Sequence, residues 1–178
     1  MSNQTIGDIY ANNDKIHAKT REMVAALSNE QAAALPEGEK WTMAHLIEHI
    51  AIVQDGMMKI SAKLLNEAKA ADVKSGGEAI LSDNFKQKAA AAQQVKLEAP
   101  DRVAPTGKAT IAESLAKMEE TRRALEDLRP VFETVECSDF KFPHPFMGDL
   151  SAHEWLTLIG GHEARHQKQI SSILEKYK

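Results

Sequence analysis

Residues 151–177, SAHEWLTLIGGHEARHQKQISSILEKY, decide how this chain is read. Ser151 and Glu154 stand at the spacing of a capping box, so a helix opens there and runs toward the C-terminus. Counted at 100° per residue from Trp155, one stripe of that helix carries Trp155, Ile159, Ile170, Ile173 and Tyr177. His162 and His166 fall at the centre of the same stripe, one turn apart on one face. Two imidazoles therefore point where a core should be. A neutral histidine bonded to a carbonyl or to a neighbouring side chain accounts for one such ring. For two at consecutive turns the desolvation cost falls twice, and a single divalent cation satisfies both at once. Helical HxxxH is a short pattern that chance also produces, so the pair alone leaves both readings open.

A third candidate ligand lies in residues 41–54, WTMAHLIEHIAIVQ, a helix opened by Thr42 as N-cap. Its apolar positions are Leu46, Ile50, Val53, Met57, Ile60 and Leu64. Measured from Leu46, His49 is about 60° from the centre of that stripe and His45 about 100°. His49 borders the buried face and is the better ligand, while His45 reads as a surface or boundary histidine. A four-histidine site would need both.

The chain outside these segments is helical in pattern as well. A first helix spans roughly Thr5 to Leu27, with Thr5 and Asp8 as a capping box and Ile9, Ile16, Met23, Val24 and Leu27 along one side. Pro36 and Gly38 separate it from the second helix, which starts near Trp41 and ends at about Ala70, before Ser75, Gly76 and Gly77. A long connection to Gly107 follows. It holds the Ala- and Gln-rich piece FKQKAAAAQQVK, a candidate short helix, and Pro100 and Pro105. Connections of that length cross over a bundle rather than make a tight hairpin. The third helix opens on the Thr110 and Glu113 capping box, carries Ile111, Leu115, Met118 and Leu125 on one face, and is expected to stop before Pro130. Residues 131–150, rich in phenylalanine, read as an irregular but ordered loop packed over one end of the bundle, and no segment reads as a strand. The expectation is an all-α four-helix bundle with a long crossover between helices 2 and 3, in one domain over 1–178.

Composition narrows the class. Lys and Arg total 22 against 26 Asp and Glu, for a formal charge of −4, without a sustained basic run, so no nucleic-acid surface is expected. The single cysteine, Cys137, excludes an internal disulfide and suits a reducing compartment. No basic start is followed by an apolar core, and no run reaches a membrane span, so the expectation is a cytoplasmic protein without a membrane partner.

Together these residues resemble the DinB-like superfamily of small four-helix-bundle proteins, over nearly the whole chain. The resemblance rests on the Trp41-to-His49 start of the second helix and on the closing motif HPFMGDLSAHEWLTLIGGHEARHQKQI. It implies a metal site of three histidines, one from the second helix and two from the HxxxH of the fourth, here His49, His162 and His166. The residues selected by helical phase are the same three. The resemblance also implies frequent dimers, and relatives that include thiol transferases using low-molecular-weight thiols and a thiol-dependent maleylpyruvate isomerase. Three neutral imidazoles on a cation leave coordination positions open, the pattern of a catalytic site. Zinc is the first choice of metal, with nickel, iron or manganese as other occupants, and the nucleophile would be a thiol or water whose pKa the metal lowers. The expected chemistry is attack on an electrophilic small molecule, of thiol S-transferase or hydrolase type.

The alternative is a bundle that binds a small ligand or partner without chemistry, its metal site structural or vestigial. Met57, Met118 and the Phe-rich loop would line its pocket. Among other polar residues, Arg122 interrupts the apolar face of the third helix and either reaches the site or snorkels to water. His144, between Pro143 and Pro145, lacks a partner at metal spacing and reads as a loop residue. Glu48, Asp55 and Glu163 are nearby carboxylates off the central stripes, and Gln169, one turn beyond His166, is the better candidate for a polar wall.

Overall fold

The computed structural model describes residues 4–72, 74, 77–92 and 98–177. Four long helices form its body: α1 (Ile6–Val24), α3 (Met43–Ala70), α5 (Ile111–Thr134) and α6 (Ala152–Glu175). Short helices α2 (Asn29–Ala33) and α4 (Asp83–Ala92) and a 3-10 turn (Asp101–Val103) lie in the connections. A hairpin of β1 (Lys141–His144) and β2 (Gly148–Ser151) precedes α6. The fold is all-α apart from that hairpin, as expected.

The caps form as the sequence dictates. Reciprocal capping boxes close at Thr5/Asp8, Thr110/Glu113 and Ser151/Glu154. At Thr42 the box is closed by His45, whose Nδ1 accepts from the Thr42 N–H at 3.4 Å. That bond gives His45 a structural place at the first turn of α3, half-buried on its flank. A further box, Ser28/Gln31, starts the short helix α2, which the sequence reading did not anticipate.

Helices α3 and α6 pack against each other, each also contacts α5 or α1, and the four surround two apolar clusters. One joins Ile6 and Ile9 of α1, Leu64 and Leu65 of α3, Phe132 of α5 and Leu156 of α6. The other joins Val24, Met43, Ile47, Met118 and Ile170. Reading the helix ends in each cluster, α3 and α5 run parallel while α1 and α6 run the opposite way. Two parallel neighbours require the chain to return the length of the bundle between them, which is the crossover that residues 71–110 make. Of the expected helix stop at 75–77, Ser75 and Gly76 lie outside the described residues, as do Gln93 to Lys96 of the Ala-rich piece, whose earlier part lies in α4.

Three expectations need correction. Helix α5 does not stop before Pro130 but continues to Thr134. Pro130 is on the exposed side, where water can take the carbonyl its missing N–H leaves free. The turn beyond it is held by fully buried Phe132, edge-on to Tyr10, and by the Arg129–Glu133 ion pair at 2.9 Å. Residues 131–150 are more regular than a loop: beyond the end of α5 they form the hairpin, in register Phe142 to Leu150 and His144 to Gly148. In α1 Ile9 and Val24 are buried as expected, but Ile16, Met23 and, beyond the helix end, Leu27 are only partly so, and the buried face is completed by Ile6, Tyr10, His17 and Thr20.

The crossover ends as a strap pinned to α3. The Glu48 carboxylate accepts from the Thr106 hydroxyl at 2.5 Å and the Gly107 N–H at 2.8 Å. Those bonds hold the Glu48 carboxyl below the usual carboxylate range against the opposing effect of burial, which is the largest single influence. Gly107 takes φ +74°, and a Cβ there would lie 2.8 Å from His45 Nε2. Gly107→Ala is therefore expected to lower the unfolding free energy by about 1–3 kcal/mol, the cost of a non-glycine residue in a left-handed conformation. Urea denaturation checks this, and coincident midpoints for variant and wild type would remove the requirement for glycine.

Candidate metal centre

Antiparallel packing of α3 on α6 brings His49 opposite His162 and His166. One ligand atom from each of the three lies within 4.8 Å of the others. The Nε2 atoms of His162 and His166 are 3.2 Å apart. Two nitrogens each about 2.0–2.1 Å from a tetrahedral cation lie roughly 3.3 Å apart, so this pair is spaced as ligands of one ion.

The rings are oriented from behind. His49 Nδ1 lies 2.8 Å from the Val103 carbonyl, which only accepts, so Nδ1 carries the hydrogen and Nε2 the lone pair. His166 Nδ1 lies 3.1 Å from Gln169 Oε1, which assigns the same tautomer to that ring. Trp41 packs its ring 4.8 Å from that of His49. His162 Nδ1 is the one buried ring nitrogen of the three without a hydrogen-bond partner among the described residues.

Burial dominates the electrostatics. It depresses His49, with the Val103 bond opposing and Arg165 adding to the fall. It takes His166 down to about 3, helped by the charges of Arg165 and His49. It takes His162 well below its ordinary value, with His166 and His49 next in effect. The rings are neutral at pH 7, the state that ligates a cation. Three neutral imidazoles whose lone pairs converge form a donor set that can hold a divalent metal ion.

The centre opens on a cleft of about 1190 Å³, walled by His49, His162 and His166 and by Trp41, Phe142 and Trp155. Met57 is part of this wall, but Met118 is not, being fully buried among Met43, Leu46 and Ile170. The hairpin supplies His144, whose Nδ1 accepts from the Phe146 and Met147 N–H groups at 3.2 and 3.3 Å. Burial takes His144 down to about 4. It is not one of the three converging ligands.

Other polar candidates are placed elsewhere. Arg122 does not reach the centre: it bonds Asp14 and Glu119 on the α1–α5 side. Asp55 pairs with Lys59 at 2.6 Å and Lys117 at 3.0 Å. Cys137 is buried, its thiol pushed up to about 12 mainly by that burial, and so is inert at neutral pH. Sequence reasoning missed a buried polar cluster beside the centre. There Glu163 accepts from Gln54 at 2.6 Å and lies 3.4 Å from His17 Nδ1. The signal was available, since His17 stands seven residues from both Tyr10 and Val24 on the inner face of α1. Arg165, whose place next to His166 in the sequence assigns it no role, faces the same cleft.

The profile of the DinB superfamily matches residues 13–170. An uncharacterized protein, YuaE, of Bacillus subtilis (strain 168) is 25% identical over 152 residues, covering 84% of this chain and 87% of that one. No solved structure gives a significant match. Among the described residues no helix is long and apolar enough to cross a membrane.

The depressed histidines predict how stability depends on pH in the metal-free protein. Below pH 6.5 the unfolded chain takes a proton on each of these residues that the folded chain refuses, so stability is full above about 6.5 and falls as pH drops toward 3. His166 alone is expected to lower the unfolding free energy by about 1.4 kcal/mol between pH 7.5 and 5.5, and His162 acts in the same direction. Urea unfolding with a chelator present at both pH values measures this. Equal stabilities would show that the rings are protonated, or free to be, in the fold.

Proposed function

We propose, from the premise that this chain belongs to the DinB superfamily, that it is a metal-dependent enzyme acting on an electrophilic small molecule. The observation that carries the reading is the donor set: three neutral imidazoles and, among the described residues, no carboxylate with the converging atoms, at the wall of a cleft. His49, His162 and His166 are the ligands. A divalent cation held there, zinc as first choice, would supply Lewis acidity and would lower the pKa of a small thiol or water, so that a nucleophile would be available at neutral pH.

The chain's own part is placement. Val103 and Gln169 fix the tautomers of His49 and His166, so their lone pairs stay aimed at one point without reorganisation. The Trp41 ring shields His49, and Phe142 and Trp155 present flat apolar surface to the substrate. Thiol S-transfer is favoured over hydrolysis because much of the wall is apolar, which suits a thiol and an organic electrophile.

A second reading, a binding bundle without chemistry, is supported by the same apolar wall, Met57 and Phe85 included. Tag-free protein is expected to carry close to one equivalent of metal and to accelerate transfer of a small thiol to an activated aryl halide. His49→Ala, His162→Ala and His166→Ala each lose the metal and more than a hundredfold in rate, and chelation followed by zinc restores wild-type turnover. A protein that gains thermal stability from small ligands but turns over neither thiol acceptors nor esters when loaded with metal would establish the binding reading instead.

A further inference from the structure

We propose that Arg165 anchors a carboxylate, so that the small molecule held at the histidine centre is an organic acid whose carboxylate lies a few atoms from its reacting group. This rests on the three-histidine reading given above. The observation behind it is a cation without a counter-ion. Arg165 is half-buried on α6, and its Nη2 lies 3.4 Å from His166 Nε2. Among the described residues no carboxylate comes within ion-pair distance of it. By contrast Arg122, Arg123 and Arg129 all pair with acidic side chains.

The acids on the cleft wall are committed elsewhere. Asp55 is held by Lys59 and Lys117, Glu98 by Lys40, and Glu39 by Lys176. Asp101 is exposed and forms no ion pair among the described residues. Burial lowers the pKa of the Arg165 guanidinium, but an arginine stays protonated in proteins, so the desolvation is borne by a charged group. Three neutral ligands would also leave the two charges of a divalent cation unbalanced, and this end of the cleft calls for an anion.

Carboxylate is the chemistry that matches. The guanidinium offers a planar fork of donors that pairs bidentately with two coplanar oxygens. Its distance from His166 Nε2 leaves room for a short spacer only, so a thiol or carbonyl one or two carbons from the carboxylate would lie at the centre while the carboxylate lies on Arg165.

Calorimetric titration with mercaptoacetate and with its neutral isostere mercaptoacetamide tests the assignment, on metal-free and on cobalt-loaded full-length protein. Wild type is expected to favour the carboxylate at least tenfold in both forms. Arg165→Gln should remove that preference while leaving mercaptoacetamide affinity and metal content unchanged, and Arg165→Lys should retain part of it. Arg102→Gln, which alters an exposed cation of the same cleft, should change the preference by less than twofold. Equal affinities in wild type, a preference intact in Arg165→Gln, or an equal loss in Arg102→Gln would overturn the proposal. Should Arg165→Gln not fold, a loss of less than threefold in Arg165→Lys would overturn it, since lysine keeps the charge but not the fork. Failure to take up cobalt would instead sink the metal reading, with the arginine still read in the metal-free protein.

Discussion

Helix α6 can bury its inner face against α3 only where the polar groups on that face find partners, and this requirement organises the rest of the molecule. His162, Glu163, His166 and Gln167 follow one another along the seam, and all but partly buried His162 are less than a tenth exposed. Gln167 donates to the Ile16 carbonyl and to Thr20 of α1, and Glu163 accepts from Gln54 of α3. Each bond offsets a desolvation cost of about 1–3 kcal/mol that an unpaired group would impose. The two histidines turn their Nε2 atoms toward each other, with Gln169 behind His166 and no partner for His162 Nδ1 among the described residues. A cation at that point would turn the least satisfied part of the seam into its strongest tie.

The crossover matters for the same reason. Its strap lies over the first turns of α3, where Glu48 grips Thr106 and Gly107 and the Val103 carbonyl meets His49. The long connection that parallel α3 and α5 require thus also sets the tautomer of one candidate ligand. On the far side of the cleft the β1–β2 hairpin contributes Phe142 and His144, and His144 spends its Nδ1 holding the turn rather than serving the centre. The strap and the hairpin thus close over the α3–α6 pair from separate parts of the chain, and both contribute to the cleft wall.

Much of this was legible in the sequence. The capping boxes and 3.6-residue stripes gave the four long helices, and the length of the connection gave the crossover. Helical phase brought His49, His162 and His166 together because a ring on an inner face has few places to go. What escaped reading depends on tertiary context. Pro130 ends most helices, but here it is on the solvent side of a turn that Phe132 anchors in the core. The hairpin's short strands, with Pro143 in one of them, carry too little alternation to register as strands. Of the oxygens that orient the rings, that of Gln169 was the sequence's better candidate over Glu48, Asp55 and Glu163, while the other is the Val103 backbone carbonyl, which leaves no mark in a sequence. Met118 shows the opposite case: at helical spacing it was indistinguishable from a cleft residue, yet it is plain core.

X-ray absorption at the zinc edge of tag-free, zinc-loaded protein bears most directly on the central claim. The account predicts three imidazole nitrogens at about 2.0–2.1 Å, with at least one further light atom from solvent, and the loss of that signal in His49→Ala, which no longer retains the metal. A spectrum fitted by one imidazole or none, or one unaltered in His49→Ala, would mean that the metal binds elsewhere and that the three rings are only a buried seam.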